Sequence, residues 1–220
     1  MRIPDRLTWE EAGALPEVYL TAYDALFRQL HLQAGEWLLI HAVGSGVGTA
    51  AVQLARVAGA TTYGTSRTPD KLRRALELGL DVGIGADGWV ARLQQETAGA
   101  GVTAVLDLVG GAYLGDNVRA LAPRGWLLVV GTVAGGSADL DLGLLLRKRL
   151  HLSGTVLRSR PLEEKIALAR HFSDHALPLF DAGRLHPVVD RVFPFSEIRK
   201  AHETMEGNES FGKLVLSWNN

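Results

Sequence analysis

"HAVGSGVGTAAVQLARVAG", residues 41–59, sets a glycine cluster between two apolar segments of different rhythm. Residues 38–42 (LLIHA) form a short continuous apolar run, and residues 47–58 repeat apolar positions at helical spacing, so the stretch reads strand, loop, helix. A phosphate approaching such a turn needs outward-pointing backbone N–H groups, no Cβ in its path and the positive end of a helix dipole. Gly44, Ser45, Gly46, Val47 and Gly48 supply these. The frame departs from GxGxxG: counted from Gly44 its last glycine falls on Thr49, and counted back from Gly48 its first two fall on Val43 and Ser45. Taken alone, the turn admits a dinucleotide site or a tight strand-to-helix connection.

The same rhythm recurs downstream. TTYGTS precedes PDKLRRALELG, TAVLDLVGG precedes AYLGDNVRALAPRG, WLLVVGTVAGG precedes LDLGLLLRKR, and HLSGTV precedes PLEEKIALARHF. Strands that alternate with helices, and that are apolar with little period-two alternation, predict a parallel sheet covered on both faces. Right-handed crossovers then make an α/β, doubly wound Rossmann sheet. The pairs Gly110-Gly111 and Gly135-Gly136 fall where strands meet helices, as ligand loops or as plain turns. Residues 9–32 read as a helical lead-in, with Pro16 near a helix start. After residue 186, HPVVDRVFPF, SEIRKAHETMEG and KLVLSW break the rhythm. The expected division is therefore 1–186, a dinucleotide-binding domain with its lead-in, and 187–220, a segment of another domain.

The 220 residues are 47% hydrophobic, enough for a substantial core. Their 23 basic and 24 acidic side chains nearly cancel, which gives no electrostatic case for nucleic acid or an anionic membrane. No apolar run is long enough to span a bilayer, and MRIPDRLTWEE is not laid out as a secretory signal, so the expected compartment is the cytoplasm. The absence of cysteine excludes disulfides and thiolate-bound zinc.

The end of the second strand bears on the coenzyme. NAD-binding units usually place a carboxylate there, for the ribose 2′-hydroxyl. This chain has Thr65-Ser66-Arg67, with Lys71 one turn into the next helix. A hydroxyl, a guanidinium and an ammonium suit a 2′-phosphate, which favours NADP(H) over NAD(H); a solvated helix start is the alternative.

With these residues in view, the chain resembles the zeta-crystallin-like NADPH:quinone oxidoreductases, a zinc-free branch of the medium-chain dehydrogenase/reductase superfamily. The resemblance rests on HAVGSGVGTAAVQLARVAGA with its following serine and DKL, on LPEVYLTAYDALF, GVTAVLDLVGG, NVRALAPRGWLLVVG and LRSRPLEEK, and on AHETMEGNESFGKLVL, all in the family's order. It implies that Ser45, Gly46 and Val47 cradle the pyrophosphate and that Ser66 and Lys71 meet the 2′-phosphate. Gly131, Thr132 and Val133 would lie near the nicotinamide, with Leu157 and Arg158 continuing that wall and Thr21 touching the cofactor. Phe211, Gly212 and Lys213 would close the site. Many relatives have a tyrosine after the third strand, where this chain has Gly85-Ala86.

The family also carries a GroES-like domain ahead of this region, and the chain begins just beyond it, as a cut piece or an incomplete natural form. An exposed apolar edge such as KLVLSW is then expected to invite pairing.

The resemblance implies direct hydride transfer from NADPH to a quinone-type small-molecule acceptor, with no acid-base residue of this chain required, no metal and a homodimer. An enoyl-thioester reductase and a non-catalytic NADPH-binding or oligomerisation module are the alternatives. His171 and His175, at helical i,i+4 spacing, lack a third ligand and are read as a solvated face; His41 is read as a satisfied strand-end histidine and Asp107 as structural. Arg147-Lys148-Arg149 is read as complementing its own helix dipole.

Overall fold

The computed structural model describes residues 1–218. Thr8 opens helix α1 (Trp9–Ala14) with a capping box: its hydroxyl accepts from the Glu11 amide while the Glu11 side chain accepts from the Thr8 amide. Pro16 starts α2 (Pro16–Tyr23), which runs straight into a π-helical turn over Asp24–Gln29. Strands and helices then alternate: β1 (Trp37–Ile40), α3 (Gly46–Ala58), β2 (Thr61–Ser66), α4 (Pro69–Glu77), β3 (Val82–Gly85) and α5 (Trp89–Glu96). They continue through β4 (Val102–Asp107), α6 (Tyr113–Ala120), β5 (Leu121–Val129), α7 (Leu142–Lys148) and β6 (His151–Gly154). Every pairing among these strands is parallel, in the order β3-β2-β1-β4-β5-β6. The order reverses between β1 and β4, so the expected doubly wound sheet is present, with a topological switch point between these strands.

Strand β1 is the centre of the core because it is sheathed on both faces. Leu38 and Ile40 pack with the α2 and α3 side, while Leu39 faces the cluster of Trp89, Leu93 and Val105. Burying each such side chain contributes about 2 kcal/mol. The far edge is thinner: α7 has no buried residue and β6 is mostly exposed. Strand β5 begins at Leu121, where the sequence reads as helix through LAPRG, because Pro123 cannot continue the α6 hydrogen-bond ladder. A register shift against β4 absorbs the irregularity.

Past α8 (Leu162–His175) and α9 (Leu177–Asp181), the chain forms β7 (Val189–Pro194), a 3-10 turn at Phe195–Glu197, α10 (Ile198–Glu206) and β8 (Lys213–Ser217). Strands β7 and β8 make a separate two-stranded parallel sheet. The KLVLSW segment is thus paired along β7 and half-buried, with Trp218 exposed and stacked on Phe195. The tail is tied back to the larger sheet. The Tyr19 hydroxyl and the Gln53 amide both donate to His186 O, and Arg74 pairs with Asp190 at 2.9 Å. Among the described residues, no helix is long and apolar enough to cross a membrane.

Candidate functional site

Ser45 caps the thirteen-residue helix α3, its hydroxyl accepting from the Gly48 amide at 3.1 Å. Helix geometry leaves the amides of Gly46 and Val47 without intrahelical acceptors, and both residues line a cleft of about 1080 Å³ at the carboxyl ends of the strands. Gly48 is needed for packing: a Cβ there would sit 2.6 Å from Val43 O and 2.7 Å from Ala42 O, atoms that cannot swing aside. The turn therefore presents a bare helix N-terminus to the cleft, which suits a diphosphate.

At the end of β2, Ser66, Arg67 and Lys71 line the same cleft. Lys71 is buried, and its Nζ donates to Asn208 O at 2.7 Å and Asn208 Oδ1 at 2.9 Å. Burial, reinforced by the Arg67 charge, pulls its pKa below the usual ammonium range. Ala86 lines the cleft too, as does Tyr113 from the start of α6. Tyr113 is set by ring contacts with Trp89 and His41, and burial raises its pKa.

The tail forms part of the wall. The Gly212 amide donates to Gly44 O at 2.9 Å, and Lys213 reaches Glu17 at 3.4 Å across the cleft. Phe211 is placed differently: its ring is buried beneath the Arg74 guanidinium, 4.3 Å away, and lines a smaller cavity of about 300 Å³. Gly44, Thr21, Gly131, Val133, Leu157 and Arg158 do line the cleft, whereas Thr132 stands outside the lining. Val133 is 90% exposed.

Beneath the cleft floor runs a buried polar chain. His41 and Asp107 are both 0% exposed. Asn117 Nδ2 donates to Asp107 Oδ2 at 2.9 Å, so Asn117 Oδ1 accepts from His41 Nε2–H at 2.6 Å, and His41 Nδ1 accepts from the Thr65 hydroxyl at 2.8 Å. Asp107 Oδ1 accepts from the amides of Val109 and Gly110. Gly110 and Gly111 take positive φ and lie so close to the loop at residues 131–135 that a Cβ on Gly111 would meet Ala134 O at 2.3 Å. Three strand-end loops are thereby locked together. Burial lowers the His41 pKa, which keeps the imidazole neutral.

The cleft lining also includes polar residues that the sequence does not single out, among them Asp24, Thr155 and Asn208. The one signal for Asp24 was an acidic residue inside the apolar lead-in VYLTAYDALF. Its partner Arg160 is 136 residues away, a pairing invisible to local pattern. Two bland readings also change. His171 is half-buried, with its Nδ1 2.8 Å from the Tyr23 hydroxyl and its ring stacked on His175, so that face is not simply solvated. Lys148 donates to the carbonyls of Val118 and Arg119 at the end of α6 and of Leu121 at the start of β5, rather than to those of its own helix.

A family model described as zinc-binding dehydrogenase matches residues 46–173. The quinone oxidoreductase of Pongo abelii is 26% identical over 221 residues, covering 98% of this chain and 64% of the relative. The highly reducing polyketide synthase curS1 of Aspergillus terreus is 34% identical over 227 residues, which are 99% of this chain and 9% of that protein. Among solved structures, an NAD-dependent alcohol dehydrogenase superposes with TM-score 0.87 at 31% identity, over 99% of this chain and 61% of that one. The CurK enoyl reductase superposes with TM-score 0.85 at 29% identity, over 99% and 65%. The chain thus spans less than two thirds of the length of these relatives. The family description names zinc. This chain has no cysteine, and among the described residues no group of three His, Asp or Glu could hold a metal, so its residues do not fit a zinc centre.

Proposed function

The chain belongs to the zinc-binding dehydrogenase family, and we propose that it is the NADPH-binding part of an oxidoreductase that reduces a quinone-type acceptor. The observation that carries this reading is the joining, in one cleft, of the Ser45–Val47 turn with Ser66, Arg67 and Lys71 at the carboxylate-free end of β2. The turn amides hold the diphosphate, while the two cations and the Ser66 hydroxyl hold the 2′-phosphate. Thr21, Gly131, Val133 and Leu157 shape the far end, where the nicotinamide ring would supply a hydride from C4. A quinone accepts that hydride together with a proton from water and leaves as the hydroquinone. The work of this chain is to seat the dinucleotide and exclude water, and we assign no residue of it to proton transfer.

A second reading has equal support: the similarity to polyketide synthases and to the CurK enoyl reductase favours an enoyl thioester, which takes hydride at its β-carbon and a proton at its α-carbon. We assign residues 1–186 to the coenzyme unit and 187–220 to a second unit. A homodimer is also proposed, supported by the exposed edge strand β6 and the exposed Leu142 and Leu146 of α7.

Calorimetric titration with NADPH and NADH tests the coenzyme assignment. NADPH binding that Ser66→Asp abolishes is the expected result, and failure of both nucleotides to bind overturns it. Oxidation of NADPH by a quinone against a crotonyl thioester then separates the two acceptors, and inertness toward both supports a non-catalytic binding module.

A further inference from the structure

A partly buried ion pair at the sheet-edge end of the cleft has no part in the reading above. Asp24 is 3% exposed and opens the π-helical turn, one helical turn after Thr21. Arg160 grips it with both ends of its guanidinium, Nη1 to Oδ1 at 2.9 Å and Nη2 to Oδ2 at 2.6 Å. Gln29 Nε2 adds a donor to Oδ1 at 3.3 Å, and the Thr155 hydroxyl lies 3.5 Å from Oδ2 while accepting from Arg160 Nη2. Glu164 is the other acid near Arg160, at 4.0 Å and on the exposed side. Both oxygens of Asp24 are therefore committed to the chain itself, which leaves little capacity to bind a ligand or shuttle a proton.

Such a pair is a poor way to gain stability, since taking the Asp24 carboxylate out of water offsets much of the attraction. What it does here is geometric. It ties α2, which carries Thr21, to the segment that follows edge strand β6 and carries Leu157 and Arg158. That segment needs a tie: β6 is open on one side, Val156 is 60% exposed, and Val133, also in the cleft lining, is 90% exposed. The Arg160 amide also closes a turn onto Leu157 O at 3.3 Å, so fixing the Arg160 side chain fixes the backbone of that wall.

We propose that Asp24 and Arg160 are a positioning pair that holds the Leu157–Arg158 wall against Thr21 and so seats the ring-bearing half of the dinucleotide. This rests on the nucleotide reading above. The pair belongs to one end of the cleft, so its loss separates the two halves of the ligand.

The test compares NADPH with 2′-phospho-ADP-ribose, which keeps the adenosine, the diphosphate and the 2′-phosphate but lacks nicotinamide. Each is titrated by calorimetry into the parent, Arg160→Lys, Arg160→Met and Asp24→Asn, with circular dichroism to establish folding and the fluorescence of bound NADPH as a second readout. The expected result is an affinity for NADPH weakened about tenfold, with a smaller emission gain, while the fragment's affinity stays within about twofold. Should Arg160→Met fail to fold, Arg160→Lys, which keeps the charge but loses the two-pronged grip, carries the comparison. Equal weakening of both ligands, or unchanged NADPH affinity, overturns the positioning role alone. Failure of both ligands to bind the parent overturns the nucleotide reading and this proposal together.

Discussion

The two ends of the cleft are built to different standards. At the β1–β4 end, the loops rest on a buried chain from Thr65 through His41 and Asn117 to Asp107, and Gly48 is clamped by the Ala42 and Val43 carbonyls of the glycine turn itself. At the β5–β6 end, the wall follows an edge strand, and one ion pair, Asp24 with Arg160, ties it to the π-helical turn after α2. On the nucleotide reading proposed above, the phosphates need fixed amides and cations, which reward rigidity. A ring that must meet a second substrate needs an opening, and an opening removes the packing that would otherwise hold its walls.

The contrast can be broken most severely at its rigid end. Asp107→Leu orphans the amides of Val109 and Gly110 and the Asn117 side chain, and should cost about 4 kcal/mol by chemical denaturation. A loss below about 1 kcal/mol would mean that the buried chain is dispensable. Gly48→Ala should cost about 3 kcal/mol, because the new Cβ can be relieved only by moving the Val43 carbonyl and the turn with it. Calorimetry should find nucleotide binding lost in whatever fraction still folds.

Milder effects belong to the cations proposed for the 2′-phosphate. Lys71→Ala should weaken NADPH about tenfold or more and leave NADH nearly unchanged, while equal weakening of both would place Lys71 in the scaffold through Asn208. The smallest effect is one of pH. Burial holds His41 below its ordinary 6.5, so as the pH falls through that value the unfolded chain takes up a proton before the folded one does. Stability should be full above about 6.5 and decline below it, and thermal melts of the parent against His41→Gln isolate that slope as the part the variant lacks.

Much of this molecule is legible in local pattern. Continuous apolar runs such as LLIHA mark strands buried on both faces, the 3.6-residue rhythm after each glycine turn marks the helices, and their alternation implies the parallel doubly wound sheet. The glycine turn and the Ser66, Arg67 and Lys71 group could be picked out because their chemistry is written within a few residues of a strand end. Phe211 was misplaced because a tail motif says that the chain returns to the cleft, but not which side chain faces it. Asp24 with Arg160, Lys71 with Asn208, and His41 with Asn117 were not legible. Each joins segments far apart in sequence whose meeting depends on the crossing of the sheet.

By itself, then, the sequence determined the parallel doubly wound sheet and the glycine turn that opens α3, because backbone propensity and hydrophobic period act over short spans. Only the tertiary structure decided what fixes the two ends of the cleft. A buried charge or amide must find its partner wherever the fold brings one, and that choice is made by proximity in space, not along the chain.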